Sequence, residues 1–312
     1  MAVFSDPMFW QDLFIAAIRM AIPILFVALG ELYSEHTGMI NIGLEGIMTI
    51  GAFACFVGSY LFEDPVKGLL FGMCAGLLFN LLFAFVTVTL KANHILTGIV
   101  MNIFAAAFVL FANRLFYEAT SASRIKMLES YTVPVLSEIP IIGKILFIQN
   151  PLFYIVIICV VVSHIYLKKT KSGLNYRAVG ENPRAAETLG IKVERIKYIG
   201  CMVCGILAGL GGAYLTACYI GSYSDNMVAG RGYIGFACVM FGNWSTKGVA
   251  IATLIYGFFA GLSIRLQVTA PGIPYQFLSM LPYLVTIFVI VFSVKNSRMP
   301  KASGKLFYRE ER

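Results

Sequence analysis

Charge is scarce in this sequence. Only 13% of its 312 residues are Asp, Glu, Lys or Arg, against about 25% in a soluble domain. With 59% hydrophobic residues beside that, a soluble globular fold is excluded and a polytopic membrane protein remains. Catalytic apparatus is missing as well. There is no Gly-x-x-x-x-Gly-Lys-[Ser/Thr] loop to cradle nucleotide phosphates and no dinucleotide fingerprint in a strand–helix setting. Neither His-Glu-x-x-His nor Gly-x-Ser-x-Gly occurs. His36, His94 and His164 are dispersed, so neither a histidine metal site nor a nucleophile–base pair is indicated. If uphill transport is driven by ATP, the motor is another chain. The N-terminus lacks a basic n-region and an Ala-x-Ala site, so the first apolar segment is expected to stay as an anchor. The seven cysteines lie mostly in apolar runs, which argues against a disulfide framework. Cys201 and Cys204 sit in a helix-length apolar segment with no second pair nearby, and are expected to be small residues at a helix contact rather than metal ligands.

What is present is organised around residues 30–48. Glu31, Glu35 and His36 form a polar elbow between two apolar segments. Asn41 and Glu45 follow inside the second segment, spaced one helical turn apart and so expected on one face. A carboxylate near the centre of a membrane-length apolar run costs roughly 2.5 to 3.5 kcal/mol on insertion scales. Glu45 must therefore be hidden among helices or used.

The apolar segments predict an all-α polytopic membrane bundle of about eight to ten transmembrane helices. They fall at 9–29, 39–62, 68–90, 95–115, 152–167, 198–220, 249–266 and 277–294, with a short interrupted piece at 233–241. Pro23 suggests a kink in the first. Residues 117–150 are expected to form an external loop with a short amphipathic or re-entrant piece. The net charge of +8 is not a nucleic-acid signal. It is concentrated at 168–197 and 295–312, a positive-inside pattern. Counting back gives about nine crossings with the N-terminus outside. The organisation is thus one transmembrane domain over 1–312: a first helical half at 1–116, the external loop at 117–150, a cytoplasmic loop at 168–197, a second half at 198–294 and a basic tail at 295–312. Each half holds a Gly-interrupted segment (41–52 and 230–242) followed by a Lys-Gly step, Lys67-Gly68 and Lys247-Gly248. With Lys67 outside and Lys247 inside, the halves would be pseudo-symmetric inverted repeats, a pattern that points to a transporter's pathway.

Within the cytoplasmic loop a short helix is written out. Asn182 suits the N-cap, Pro183 the first helical position and Gly190 a left-handed C-cap. A helix of about two turns is unstable alone in water. Either a partner docks on it, or it is a solvated loop that orients the protein.

Two stretches resemble a known family: Gly38-Met39-Ile40-Asn41-Ile42-Gly43-Leu44-Glu45-Gly46 preceded by Gly30-Glu31, and Tyr176-Arg177-Ala178-Val179-Gly180-Glu181-Asn182-Pro183 followed by Ala185, Ala186, Gly190 and Ile191. They are similar to the permease subunits of bacterial ABC importers of the branched-chain amino acid and simple-sugar superfamily. Val133-Pro134-Val135-Leu136, Ile139-Pro140 and Gly143 resemble the external loop of the nucleoside branch, in particular its shorter permease. The resemblance covers about residues 19–292. It implies a non-catalytic permease in a bacterial cytoplasmic membrane, importing a purine nucleoside such as guanosine by alternating access. It also implies a second homologous permease, an ABC ATPase subunit that holds the ATP and Mg, and an extracytoplasmic solute-binding lipoprotein. No cofactor is expected on this chain. Other readings are a permease for a simple sugar or branched-chain amino acid, or an ion-coupled secondary transporter. An intramembrane enzyme lacks a catalytic set.

On this resemblance the substrate pathway is expected at Asn41, Glu45, Asn102, Phe236, Asn243 and Trp244, with Asn80 a lesser candidate. Amides suit hydrogen bonding to a ribose or base, and each is alternatively interhelical glue. Phe236 and Trp244 could stack on a base, although Trp is also enriched at membrane interfaces. Glu45 is expected to serve structure or gating ahead of solute contact. ATPase coupling is assigned to Arg177, Gly180, Glu181, Asn182, Pro183, Ala186 and Gly190. For Arg177 the alternative is an orienting surface charge.

Overall fold

The computed structural model describes residues 7–120, 124–132, 137, 142–269, 274–293 and 298–308. Helix α1 (Pro7–His36) is unbroken at Pro23 and continues past the predicted end at Leu29. The polar elbow is therefore the last stretch of a helix. That helix stops where Gly38 takes φ +84°, a left-handed conformation that costs glycine little. Ser34 Oγ donates to the carbonyl of Met39 at 3.0 Å and Thr37 Oγ1 to that of Ser34 at 2.7 Å, satisfying groups that a helix end leaves open.

The chain then climbs back beside α1, and α2 (Leu44–Phe62) begins only at Leu44. Asn41 lies outside it, so the expectation that Asn41 and Glu45 share a helical face is corrected. The glycines at 38 and 43 let the backbone turn between them, and the two side chains diverge. Next come α3 (Pro65–Ala84, continued by a wider π turn at Phe85–Thr89), α4 (His94–Thr120), α5 (Ile142–Phe147) and α6 (Pro151–Lys169). Then follow α7 (Lys171–Glu181) and α8 (Pro183–Thr188), in the loop expected to be cytoplasmic. The second half holds α9 (Val193–Tyr214, with a π extension at Leu215–Ile220), α10 (Arg231–Phe241), α11 (Thr246–Thr269) and α12 (Tyr275–Ser293).

Among the described residues seven helices are long and apolar enough to span a membrane, and Arg231–Phe241 and Tyr275–Phe288 are shorter apolar helices. Together these are nine apolar helices, of which seven have the length of a span. The segment between α4 and α6 carries a two-residue antiparallel pair, β1 (Tyr131–Thr132) with β2 (Ile148–Gln149). The Val133–Ile139–Pro140 resemblance lies outside the described residues.

Helix α9 packs against α1, α2 and α3, and α1 packs also on α11. Hydrocarbon gives no hydrophobic drive between helices, so close backbone approach is needed. Gly76 supplies it at the α3–α9 crossing, where an added Cβ would lie 2.5 Å from the Gly205 carbonyl oxygen. The basic end of the bundle is set by α7, α8 and residues 298–308, together with the Lys91–Glu194 pair at 2.9 Å. The Asp12–Arg265 pair at 2.6 Å marks the opposite end.

The 298–308 segment is packed rather than a loose basic tail. The Arg298 amide donates to Asn243 Oδ1 at 2.6 Å, the Ala302 amide to the Gly180 carbonyl at 2.9 Å and the Gly304 amide to that of Gly38 at 3.0 Å. Phe307 closes a small second core with Val179, Ala186 and Val193.

Candidate functional site

Each of the two breaks is stitched by a carboxylate, the first buried and the second partly so. At the first, Glu31 on α1 is fully buried, and its Oε1 accepts from the backbone amide of Asn41 at 2.9 Å. Asn41 Oδ1 accepts from the Gly43 amide at 2.8 Å while its Nδ2 donates to Asn80 Oδ1 at 2.8 Å. Asn80 Nδ2 in turn donates to the Cys201 carbonyl at 2.5 Å. This chain joins α1, the break, α3 and α9. Irregular backbone at membrane depth survives only where protein satisfies it, and these three side chains do so. Asn41 and Asn80 are 0% exposed, so neither reaches a passing solute in this conformation.

The second break precedes α10. Gly230 takes φ +80° and its amide donates to Glu45 Oε1 at 2.7 Å, while the Gly232 amide donates to Glu45 Oε2 at 2.8 Å. The carboxylate of α2 thus caps the N-terminus of α10, where free amides and the helix dipole favour negative charge. Gly232 is required at the crossing, since a Cβ there would sit 2.5 Å from the Glu45 amide nitrogen. Arg231 does not neutralise Glu45 by a direct bond. Its guanidinium donates to the carbonyls of Met227 and Val228 at 2.9 and 3.0 Å.

Asn102 on α4 binds the same locus. Its Oδ1 accepts from the Gly46 amide at 2.8 Å, and its Nδ2 donates to the Ile42 carbonyl and to the Tyr233 hydroxyl, both at 2.9 Å. Tyr233 is 48% exposed, with Phe236 one turn further along α10 and partly buried against the core. Glu45 and Asn102 are therefore brought together around the start of α10, Phe236 lies one turn beyond Tyr233, and Asn41 is turned away from them.

Asn243 and Trp244 lie elsewhere, in the turn between α10 and α11. Both hold left-handed backbone, φ +49° and +51°, a strained state for such residues costing of order 1–3 kcal/mol each. The strain is held from two sides. Buried Trp244 donates its Nε1 proton to Glu35 Oε2, and Asn243 accepts from the Arg298 amide. These two sit beside Arg177 and Glu181 at the basic end of the bundle, distant in the chain's path from Glu45.

The segment expected to couple to an ATPase is two helices. Asn182 caps α8, its Oδ1 accepting from the Ala185 amide at 3.2 Å, Pro183 follows at the first position, and Gly190 takes φ +81°. Ala186 is buried, whereas Glu181 and Asn182 are exposed. Helix α7 was not anticipated, because Gly173 and Gly180 lie within it. Both are explained by contact: an added Cβ on Gly173 would strike the Tyr166 carbonyl, and one on Gly180 that of His36. Tyr176 anchors α7 among Tyr33 of α1 and Tyr166 of α6, ring centroids 6.1 and 5.9 Å away. Burial pushes its phenol well above the ordinary value, so it packs as a neutral ring.

Sequence reasoning missed three contributors. Glu31 and Glu35 carried a signal, two carboxylates one turn apart at the end of an apolar run. Tyr233 carried none that separates it from the other tyrosines.

Comparison with known proteins bears on this arrangement. The family described as "branched-chain amino acid transport system / permease component" matches residues 13–291. A nucleoside ABC transporter permease protein of Lactococcus lactis subsp. cremoris, NupC, is 39% identical over 90% of this chain and 92% of its own length. A guanosine ABC transporter permease protein of Bacillus subtilis, NupQ, is 34% identical over 95% and 96%. A second nucleoside permease of the same Lactococcus, NupB, is 26% identical over 95% and 86%. A solved ABC transporter in an inward-facing conformation is similar at a TM-score of 0.47 and 15% identity, over 91% of this chain and 85% of that one.

Proposed function

Since the chain belongs to the branched-chain amino acid transport system permease family, we propose that it is the non-catalytic permease of an ABC importer that carries purine nucleosides into a bacterial cell. The observation that carries this reading is the α7–α8 pair. It stands out from the bundle, is tied to α1 by Gly180 and Tyr176, and presents Leu189 at 79% exposure at its tip. An apolar side chain so exposed on a capped short helix suits a partner's groove. The partner is an ATPase subunit, which holds the ATP and Mg. Nucleoside as the cargo is supported by the names of the relatives at 39% and 34% identity. That Lactococcus has two such permeases of unequal likeness to this chain supports a heteromeric pair of permeases. A solute-binding lipoprotein would deliver cargo from outside.

Inverted halves fit the packing. α1 lies on α11 as α9 lies on α3, and in each half a long helix is followed by a break and a short helix. In this reading Glu45 holds α2 to α10, and Tyr233 with Phe236 offers the ring surface on which a base stacks. Asn102 fixes the Tyr233 hydroxyl. Competition of guanosine, adenosine, ribose and leucine against labelled guanosine, in vesicles holding the whole complex, tests the cargo. The nucleosides are expected to compete and the other two not. Displacement by ribose or leucine instead refutes the nucleoside reading.

A further inference from the structure

A cavity of about 430 Å³ opens at the cytoplasmic end, walled by the ends of α1 and α6, by α7, by the α10–α11 turn and by residues 298–301. Its volume falls within the roughly 300–1,000 Å³ of small-molecule sites. Lys168, Arg177, Arg298 and Lys301 all line it, against Glu181 as the one carboxylate. Among the described residues none of the four cations is within ion-pair distance of a carboxylate, Glu181 included. Arg177 is the most telling of them. Its Nε is enclosed away from solvent and has no hydrogen-bond partner. Buried donors are almost always satisfied, and a charged donor left unsatisfied is the more costly case. Four cations converging from three parts of the chain repel one another unless a counter-charge sits between them.

We propose that this cavity binds a phosphate group. Arginine's planar fork matches phosphate oxygens bidentately, and lysine adds point charge. Two sources supply that chemistry here. Lys168 directly follows the apolar run of α6, at the level of lipid headgroups, and the opening faces the cytoplasm, where phosphorylated nucleosides are dissolved. A phosphate seated there bridges α7 to the α10–α11 turn and to the 298–301 segment. The inference rests on the cavity's charge and enclosure and is independent of the cargo.

Trp10 and Trp244 are the two tryptophans of the chain, and Trp244 lines the cavity. In the full-length Trp10→Phe protein, Trp244 emission therefore reports on it. Titrating guanosine 5′-monophosphate and inorganic phosphate into nanodiscs of neutral lipid is one arm. Comparing nanodiscs with and without phosphatidylglycerol is the other. A saturable change is expected in at least one arm, and which arm responds assigns the source. Arg177→Gln with Arg298→Gln is expected to weaken it at least tenfold. Lys168→Gln with Lys301→Gln, both at exposed positions, should weaken it too and serves if the arginine pair fails to fold. Lys192→Gln with Lys305→Gln removes as much charge outside the cavity and should leave it unchanged. No saturable response in either arm, or equal weakening by the Lys192/Lys305 pair, overturns the proposal.

Discussion

Glu45 spends its two oxygens on two amides of another helix, 185 and 187 residues away. Hydrogen bonds to a charged acceptor contribute about 1.5–3 kcal/mol each. Glu45→Gln keeps the shape but leaves one acceptor and sets an amide donor against a backbone donor. We expect a lowered thermal midpoint in nanodiscs and faster hydrogen exchange at Gly230 and Gly232. An unchanged midpoint and unchanged exchange would show that the clamp bears no weight. The sequence announced Glu45 through its cost in hydrocarbon, yet hid its partners, because backbone amides carry no residue-type signature. Asn41 was misjudged for a related reason. Its polar spacing suited a helix, but two glycines and the Glu31 carboxylate drew it into a turn. Trp244 looked like an interface residue because its acceptor, Glu35, lies 209 residues off.

At the scale of elements, α8 was legible to its caps. Asn182, Pro183 and Gly190 act locally, and local chemistry is what a sequence states most directly. Helix α7 was not legible, since two glycines within it weaken intrinsic propensity by about 1 kcal/mol each. Tertiary contact with Tyr166 and His36 demands those glycines, and that demand is invisible along the chain. If α8 conveys the ATPase's motion, replacing Glu181 and Pro183 together should abolish uptake while the protein still assembles in the membrane. Vesicle uptake beside quantified membrane protein measures this, and normal uptake in the variant would remove the coupling assignment.

For the whole molecule, apolar run length was enough to place the seven span-length helices, because hydrocarbon thickness acts on composition, while the placement of Lys and Arg supplies an expected direction. How the helices pair was not available from composition, since glycine-rich membrane helices look alike. The direction of each half can be checked at exposed Lys67 and Lys247. A cysteine at position 67 is expected to react with an impermeant maleimide in intact cells. One at position 247 should react only after the membrane is opened. The reverse labelling pattern would invert the assigned topology.

Residues 298–308 give the transporter something a lever needs, which is a seat without play. By hooking Gly38, Gly180 and Asn243 at once and wedging Phe307 under α7 and α8, they keep a push on the coupling helices from being absorbed as slack. Cutting the chain after residue 297 should leave a machine that idles. ATP would still be consumed at near the normal rate while less solute enters per molecule hydrolysed, and the ratio of uptake to hydrolysis, measured in the same vesicles, reads that backlash directly.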